Sequence, residues 1–128
     1  MATPDDCRYT KDHEWVRTEG NTAVVGITDY AQKQLGEVVF VDLPEIGREV
    51  NQGEEFAVVE STKAASDICA PVSGTVTEVN EMLSDSPDTI NRDPHGDGWI
   101  AKLTLADPTE INALLDADAY DAFIAEQD

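Results

Sequence analysis

Over the first half of the chain, apolar and polar positions alternate in short stretches interrupted by Gly, Pro and Asn, a pattern of many brief strands. Glu14-Trp15-Val16-Arg17-Thr18 and Thr22-Ala23-Val24-Val25-Gly26-Ile27 read as two strands around Glu19-Gly20-Asn21, a three-residue hairpin loop. Thr28 stands where it can cap a brief helix over 29–35, and Gly36 where it can end it. The β-branched and aromatic run Val38-Val39-Phe40-Val41 predicts a strand that stops at Leu43-Pro44. Phe56 to Glu60 and Ser66 to Ala70 are two more strands, followed by a turn at Pro71-Val72-Ser73-Gly74 and a strand over 75–79. Near the end, Trp99, Ala101, Leu103 and Leu105 alternate with Ile100, Lys102 and Thr104, as in a half-buried strand.

The period changes after residue 106. Asp107-Pro108-Thr109-Glu110 lines up a cap, a first-turn proline and an N3 glutamate, which predicts a helix start. Ile111, Leu114 and Leu115 follow at helical spacing, and Tyr120, Phe123 and Ile124 form a second apolar stripe. The pattern predicts one mostly β domain over 1–128, with a β core at about 9–105 and C-terminal helices at about 107–126. Many short strands with Pro/Gly turns point to a sandwich or small barrel. Pro-x-x-Gly occurs at 44–47 and again at 71–74, an echo that fits two similar halves as well as two unrelated turns.

Composition narrows the function. The 128 residues are 41% hydrophobic, enough for a real core, yet 27 Asp and Glu against 8 Lys and Arg give a net charge of −19. Lysine occurs only at 11, 33, 63 and 102. With no basic stripe, nucleic-acid binding is excluded, and anionic lipid head groups would repel the surface. No apolar run approaches the roughly 20 residues that span a bilayer.

The acids spread from Asp5 to Asp128 among apolar residues, which is a coat and not an acidic tail. From residue 103 onward there are seven acids and no Lys or Arg, so the helical tail reads as pure coat. A coat this dense implies a screening solvent, since the Debye length falls to about 3 Å at molar salt. Met-Ala-Thr-Pro-Asp-Asp at the start lacks the basic and apolar segments of a secretory signal. The expectation is a cytoplasmic protein of a halophilic prokaryote. Cys7 and Cys69 read more simply as two free thiols than as one long-range disulfide.

Several candidate sites fail on their residues. Gly96-Asp97-Gly98 leads into a strand and lacks the third glycine and helix of a phosphate loop. A calcium loop begun at Asp93 would place His95 and Thr104 where oxygen-rich ligands are needed. His13, His95 and the two cysteines give no zinc set of usual spacing, and no serine lies in a nucleophile elbow.

What remains is Glu60-Ser61-Thr62-Lys63-Ala64-Ala65-Ser66-Asp67, where two apolar strands converge on a turn whose one long side chain is Lys63. Its small flanks leave the ammonium approachable by another protein. On these eight residues alone an ordinary solvated lysine, or a weak surface ion pair with Glu60 or Asp67, is the simpler reading. The wider frame changes this. Gly53 lies ten residues before the lysine and Gly74 eleven after it, so Lys63 is central between two turns.

This arrangement resembles the biotinyl/lipoyl carrier fold, a barrel-sandwich hybrid in which a lysine on an exposed β-turn receives a prosthetic arm. Biotin carriers flank that lysine with methionine; Thr62 and Ala64 stand here, which favours lipoate. The chain further resembles the H protein family of the glycine cleavage system, from about Tyr9 to Phe123. The residues that carry this include Tyr9-Thr10-Lys11-Asp12-His13-Glu14-Trp15, Gly26-Ile27-Thr28-Asp29-Tyr30-Ala31 and Glu60 to Ile68. Asp85-Ser86-Pro87, Asn91, Asp93-Pro94 and Gly98-Trp99 extend it toward the end. Thr62, Cys69 and His95 depart mildly from the pattern.

The resemblance implies a carrier and not an enzyme, with lipoate joined covalently to Lys63. It implies a monomer that meets glycine decarboxylase, aminomethyltransferase, dihydrolipoyl dehydrogenase and lipoate-attaching enzymes. It also implies a surface on which the loaded arm parks. Glu60 and Asp67 bracket the lysine and are candidates for recognition by the modifying ligase. Glu14 is a candidate for the parking surface, where a carboxylate would pair with an aminomethyl cation; the alternative is one more solvated acid. Two neighbouring functions share this chemistry: an H-like lipoate donor, and a lipoyl domain of a 2-oxo-acid dehydrogenase complex. An unmodified acidic interaction module is the reading from another class.

Overall fold

Two antiparallel sheets enclose the core of the computed structural model, which describes residues 5–127; Met1–Pro4 and Asp128, with the expectations made for them, lie outside the described residues. The chain begins with β1 (Arg8–Tyr9), β2 (Glu14–Glu19), β3 (Thr22–Ile27), α1 (Asp29–Leu35) and β4 (Val38–Asp42). It continues through β5 (Glu49–Val50), β6 (Glu55–Ser61), β7 (Ala65–Cys69) and β8 (Gly74–Val79). Two one-turn helices, α2 (Met82–Asp85) and α3 (Thr89–Arg92), precede β9 (Ala101–Leu105), a 3-10 helix over Pro108–Ala113 and α4 (Ala117–Gln127). The larger sheet runs β1-β2-β3-β9-β8-β5 and the smaller β4-β6-β7.

Alternation along the strands sends one set of side chains between the sheets. Val16, Val25, Ile27, Val41, Val59, Ile68 and Leu103 meet there, joined by Leu83 from α2 and Ile90 from α3. The other face of the larger sheet is also covered. Trp15 and Val24 project to it and pack with Tyr9, Cys7 and Tyr120 of α4, so the C-terminal helix closes a second small core.

Several sequence expectations need adjusting. The β2–β3 loop has two residues and not three, because Glu19 pairs with Thr22 and Gly20 takes φ +63°. Ile100 does not face solvent between inward neighbours; it is fully buried just before β9, its N–H donating to the carbonyl of Val25. The segment after Asp107 is a 3-10 helix, and Leu115 leaves the helical path to bridge Tyr9.

The tail is also more than coat. Glu110 does not reach back to cap its own helix; its carboxylate accepts from the N–H and the hydroxyl of Ser73, at 2.7 and 2.8 Å. Tyr120 Oη lies 2.7 Å from Thr28 Oγ1 and 2.9 Å from His13 Nδ1, tying α4 to the start of α1. The helix expected at 29–35 forms as read, with Thr28 Oγ1 accepting from the N–H of Ala31.

Candidate functional site

Lys63 stands exposed at the tip of the hairpin between β6 and β7. Glu60 pairs with Ala65, so the two strands end just below the turn. Ser61 stiffens it. Its N–H donates to the carbonyl of Ala64 at 2.8 Å, and its Oγ accepts from the N–H groups of Lys63 and Ala64, each at 3.1 Å. The N–H of Thr62 donates to the carbonyl of Glu37 at 3.0 Å, so the tip leans on the segment joining α1 to β4.

That segment is built around Gly36 and Asn91. Gly36 takes φ +86°, which favours glycine, and a Cβ there would lie 3.0 Å from Lys63 Cε. The bare backbone thus makes room for the lysine stem. Asn91 donates to the carbonyl of Gly36 at 2.8 Å and to Gln32 Oε1 at 2.9 Å, and accepts from the N–H of Val38 at 2.8 Å. Sequence reasoning gave Ser61 only the part of a small neighbour, and Gly36 only that of a helix end. The Ser-x-x-Ala turn and the glycine after Leu35 were the available signals for both.

Beside Gly36 opens a cleft of about 310 Å³ between α1 and the edge of β7. Leu35, Ala31, Ile27 and Ile68 give it apolar walls, while Asp12, His13, Tyr30 and Ser66 give it a polar rim. His13 holds φ +69°, a left-handed conformation that non-glycine residues adopt at some cost in energy.

Glu14 is on β2 but not at an open surface: it is 2% exposed. Its carboxylate accepts from Thr10 Oγ1 at 2.8 Å and from the N–H of Cys69 at 3.1 Å. Burial pushes its pKa up to about 7, an effect these two hydrogen bonds reduce and the nearby charge of Asp12 adds to. Asp12, Glu14 and Cys69 bring their ligand atoms within 4.8 Å of one another, a grouping their spacing did not suggest. Both Glu14 oxygens already have donors. Cys7 and Cys69 are free thiols, and burial raises the pKa of Cys7 to about 11.

Glu60 and Asp67 lie away from the cleft. On β7, Ser66 and Ile68 line it, and Asp67 projects to the opposite face beside Asp42 and Val58. Glu60 is exposed on that same outer face. The lysine turn, the cleft and these two acids are thus three neighbouring parts of one sheet end. No helix among the described residues is long and apolar enough to cross a membrane.

Two facing sheets with short helices and an exposed lysine hairpin define a class, the barrel-sandwich hybrid of the biotinyl/lipoyl carrier type. Comparison with known proteins narrows it. Residues 7–127 match the family described as Glycine cleavage H-protein. The chain is 56% identical over 128 residues, all of both chains, to a glycine cleavage system H protein of Anaeromyxobacter sp. (strain K). It is 61% identical over 117 residues to the one from Methylocella silvestris, covering 91% of this chain and 94% of that protein. A crystal structure of a glycine cleavage system H protein from Mycobacterium marinum matches with a TM-score of 0.88 at 41% identity, over 95% of this chain and 98% of that one. The chain belongs to the glycine cleavage H-protein family, and with it to the lipoyl carriers of glycine cleavage.

Proposed function

We propose that Lys63 carries lipoate through an amide at Nζ, and that the chain works as a monomeric carrier with no catalytic residue of its own. It shuttles the aminomethyl group of glycine from glycine decarboxylase to aminomethyltransferase, and reducing equivalents to dihydrolipoyl dehydrogenase. One observation carries this reading. Lys63 tops a stiffened turn with its stem over Gly36, whose neighbour Leu35 lines the cleft.

The residues present suit such an arm. A Cβ at position 36 would fill the path that glycine leaves open, and the apolar wall of Leu35, Ile27 and Ile68 suits an acyl chain. When bound, lipoate supplies group carriage and thiol–disulfide chemistry that no side chain here offers. The chain's own residues present it and shelter its far end. Acylation removes one positive charge and takes the net charge from −19 to −20. Asp12 at the rim and Glu14 beside it supply negative charge for a cationic amine, and a cation placed there favours the ionised form of Glu14. Glu60 and Asp67 are assigned to recognition by the lipoate-attaching enzyme, and the acidic coat to a salt-rich cytoplasm.

Intact mass of the protein from lipoate-supplied cells tests the assignment. The wild type is expected to carry one lipoyl adduct and Lys63→Ala none. An unmodified wild type, or a modified Lys63→Ala, would end it. Glycine–bicarbonate exchange with the decarboxylase then separates a cleavage carrier, which supports the exchange, from a lipoate donor, which does not.

A further inference from the structure

We infer that the outer face of the three-stranded sheet, centred on Phe40, is where the enzyme that acylates Lys63 docks; this rests on the assignment of Lys63 as the attachment site. Cross-strand partners project to the same face of a sheet. Phe40 pairs with Glu60 and Glu60 with Ala65, while in the next row Asp42 pairs with Val58 and Val58 with Asp67. All six therefore share one face, and Asp42, Val58 and Asp67 line the same shallow depression on it. The register shifts between Val38 and Phe40, so Val39 is an extra residue in β4. The outcome is two consecutive apolar side chains in solvent, Val39 at 49% and Phe40 at 52% exposure.

An exposed aromatic with Glu60 opposite it, and Asp42 and Asp67 in the next row of the same face, is the complement of an apolar pocket rimmed by Lys and Arg. Arg48 lies beside Asp42 and Asp67 but is engaged by Glu54 and by the carbonyl of Glu55, both at 2.9 Å. The reach required of the partner selects it. Val38 pairs with Ser61, the first residue of the lysine turn, so Phe40 lies close behind Lys63. An enzyme that forms a bond at Nζ must come within one lysine stem of the turn, and of the two faces beside the turn this one offers it an exposed aromatic. An enzyme acting on the far end of a long arm has no such need. The cleft opens on the other side of β7, so the docked enzyme leaves it clear.

The test uses full-length unmodified protein, a purified lipoate–protein ligase, ATP and lipoate, with adduct formation followed by intact mass. Phe40→Ser is expected to slow acylation about tenfold or more through KM, as loss of a central interface anchor does. The combined Asp42→Asn, Glu60→Gln and Asp67→Asn variant is expected to slow it and flatten its salt dependence. Met82→Ser, which removes an equally exposed apolar side chain from α2 and not from the three-stranded sheet, keeps the wild-type rate. Phe40→Ser driven to full acylation is expected to exchange electrons with dihydrolipoyl dehydrogenase like the wild type. Acylation of Phe40→Ser at the wild-type rate, an equal loss in Met82→Ser, or a parallel loss with the dehydrogenase overturns the inference. A wild type that takes no lipoate instead removes the Lys63 assignment, and this inference with it.

Discussion

Thr62 donates its backbone N–H to the carbonyl of Glu37 at 3.0 Å, a bond that fastens the lysine turn to the end of α1. The receiving segment is held from below by Asn91, whose side chain bonds the carbonyl of Gly36 and the N–H of Val38. Asn91→Ala leaves both groups without that partner, which costs about 1–3 kcal/mol for each that stays buried. The expected result is a lower melting temperature and faster amide exchange at Val38 and Thr62, with little change at Val16 in the opposite sheet. Uniform acceleration across the molecule would show that Asn91 supports the fold at large and not the turn.

Gly36→Ala tests the path of the lysine stem. With φ +86° and ψ −155° the backbone lies in a region essentially reserved for glycine, which costs another residue about 1–3 kcal/mol, and the added Cβ would sit 3.0 Å from Lys63 Cε. The methylene is the flexible end of an exposed chain, so the stem moves and the fold survives. Expected are a modest loss of stability and a change in the Lys63 Hε chemical shifts. Unchanged shifts would mean that the stem does not rest on Gly36 in solution.

Most of the fold was legible because its signals are local. Thr28 and Gly36 bound a seven-residue helix as their capping chemistry requires, and β2, β3, β4 and β6 follow the runs of β-branched residues. Misreadings arose where tertiary partners decide. Glu110 has the spacing of a capping glutamate, yet the Ser73 turn offers two donors in better geometry. Ile100 fits an alternating strand by pattern, but bonding to Val25 turns it inward. The lysine turn was visible as a chemical oddity. Its supports were not, since Asn91, Gly36 and Thr62 come from three separate stretches. Glu14 was found as a candidate, but its burial depends on Thr10 and Cys69 folding over it.

Glu14 predicts a pH dependence of stability. Its folded pKa of about 7 lies above the ordinary glutamate value of 4.5, so the folded state holds this proton more tightly than the unfolded chain. A group raised in this way contributes stability that is full below about 4.5 and is lost as pH rises through about 7. Glu14→Gln removes that titration. It is expected to shrink the loss of stability between pH 5 and 8, by an amount on the order of 2–3 kcal/mol. Denaturant unfolding of both proteins across this range is the measurement. Parallel stability curves would show that Glu14 keeps an ordinary pKa.

Salt should stabilise this protein. Among the described residues five ion pairs form, all with at least one partner more than half exposed except Arg48–Glu54, and such pairs are worth little. With 27 acids against 8 Lys and Arg, most carboxylates repel one another without a cation near. Repulsion between surface charges acts over about 10 Å at 0.1 M salt and about 3 Å at 1 M. The melting temperature is therefore expected to climb as potassium chloride rises from low to molar concentration. A general salt effect on apolar burial would give a similar climb, so Glu81→Lys/Glu126→Lys serves as a control. Both positions are exposed, and the exchange raises the net charge from −19 to −15. If repulsion within the coat is the cause, this variant melts higher at low salt and gains less from added salt. Equal salt dependence in the two proteins would assign the effect to the solvent and not to the charge.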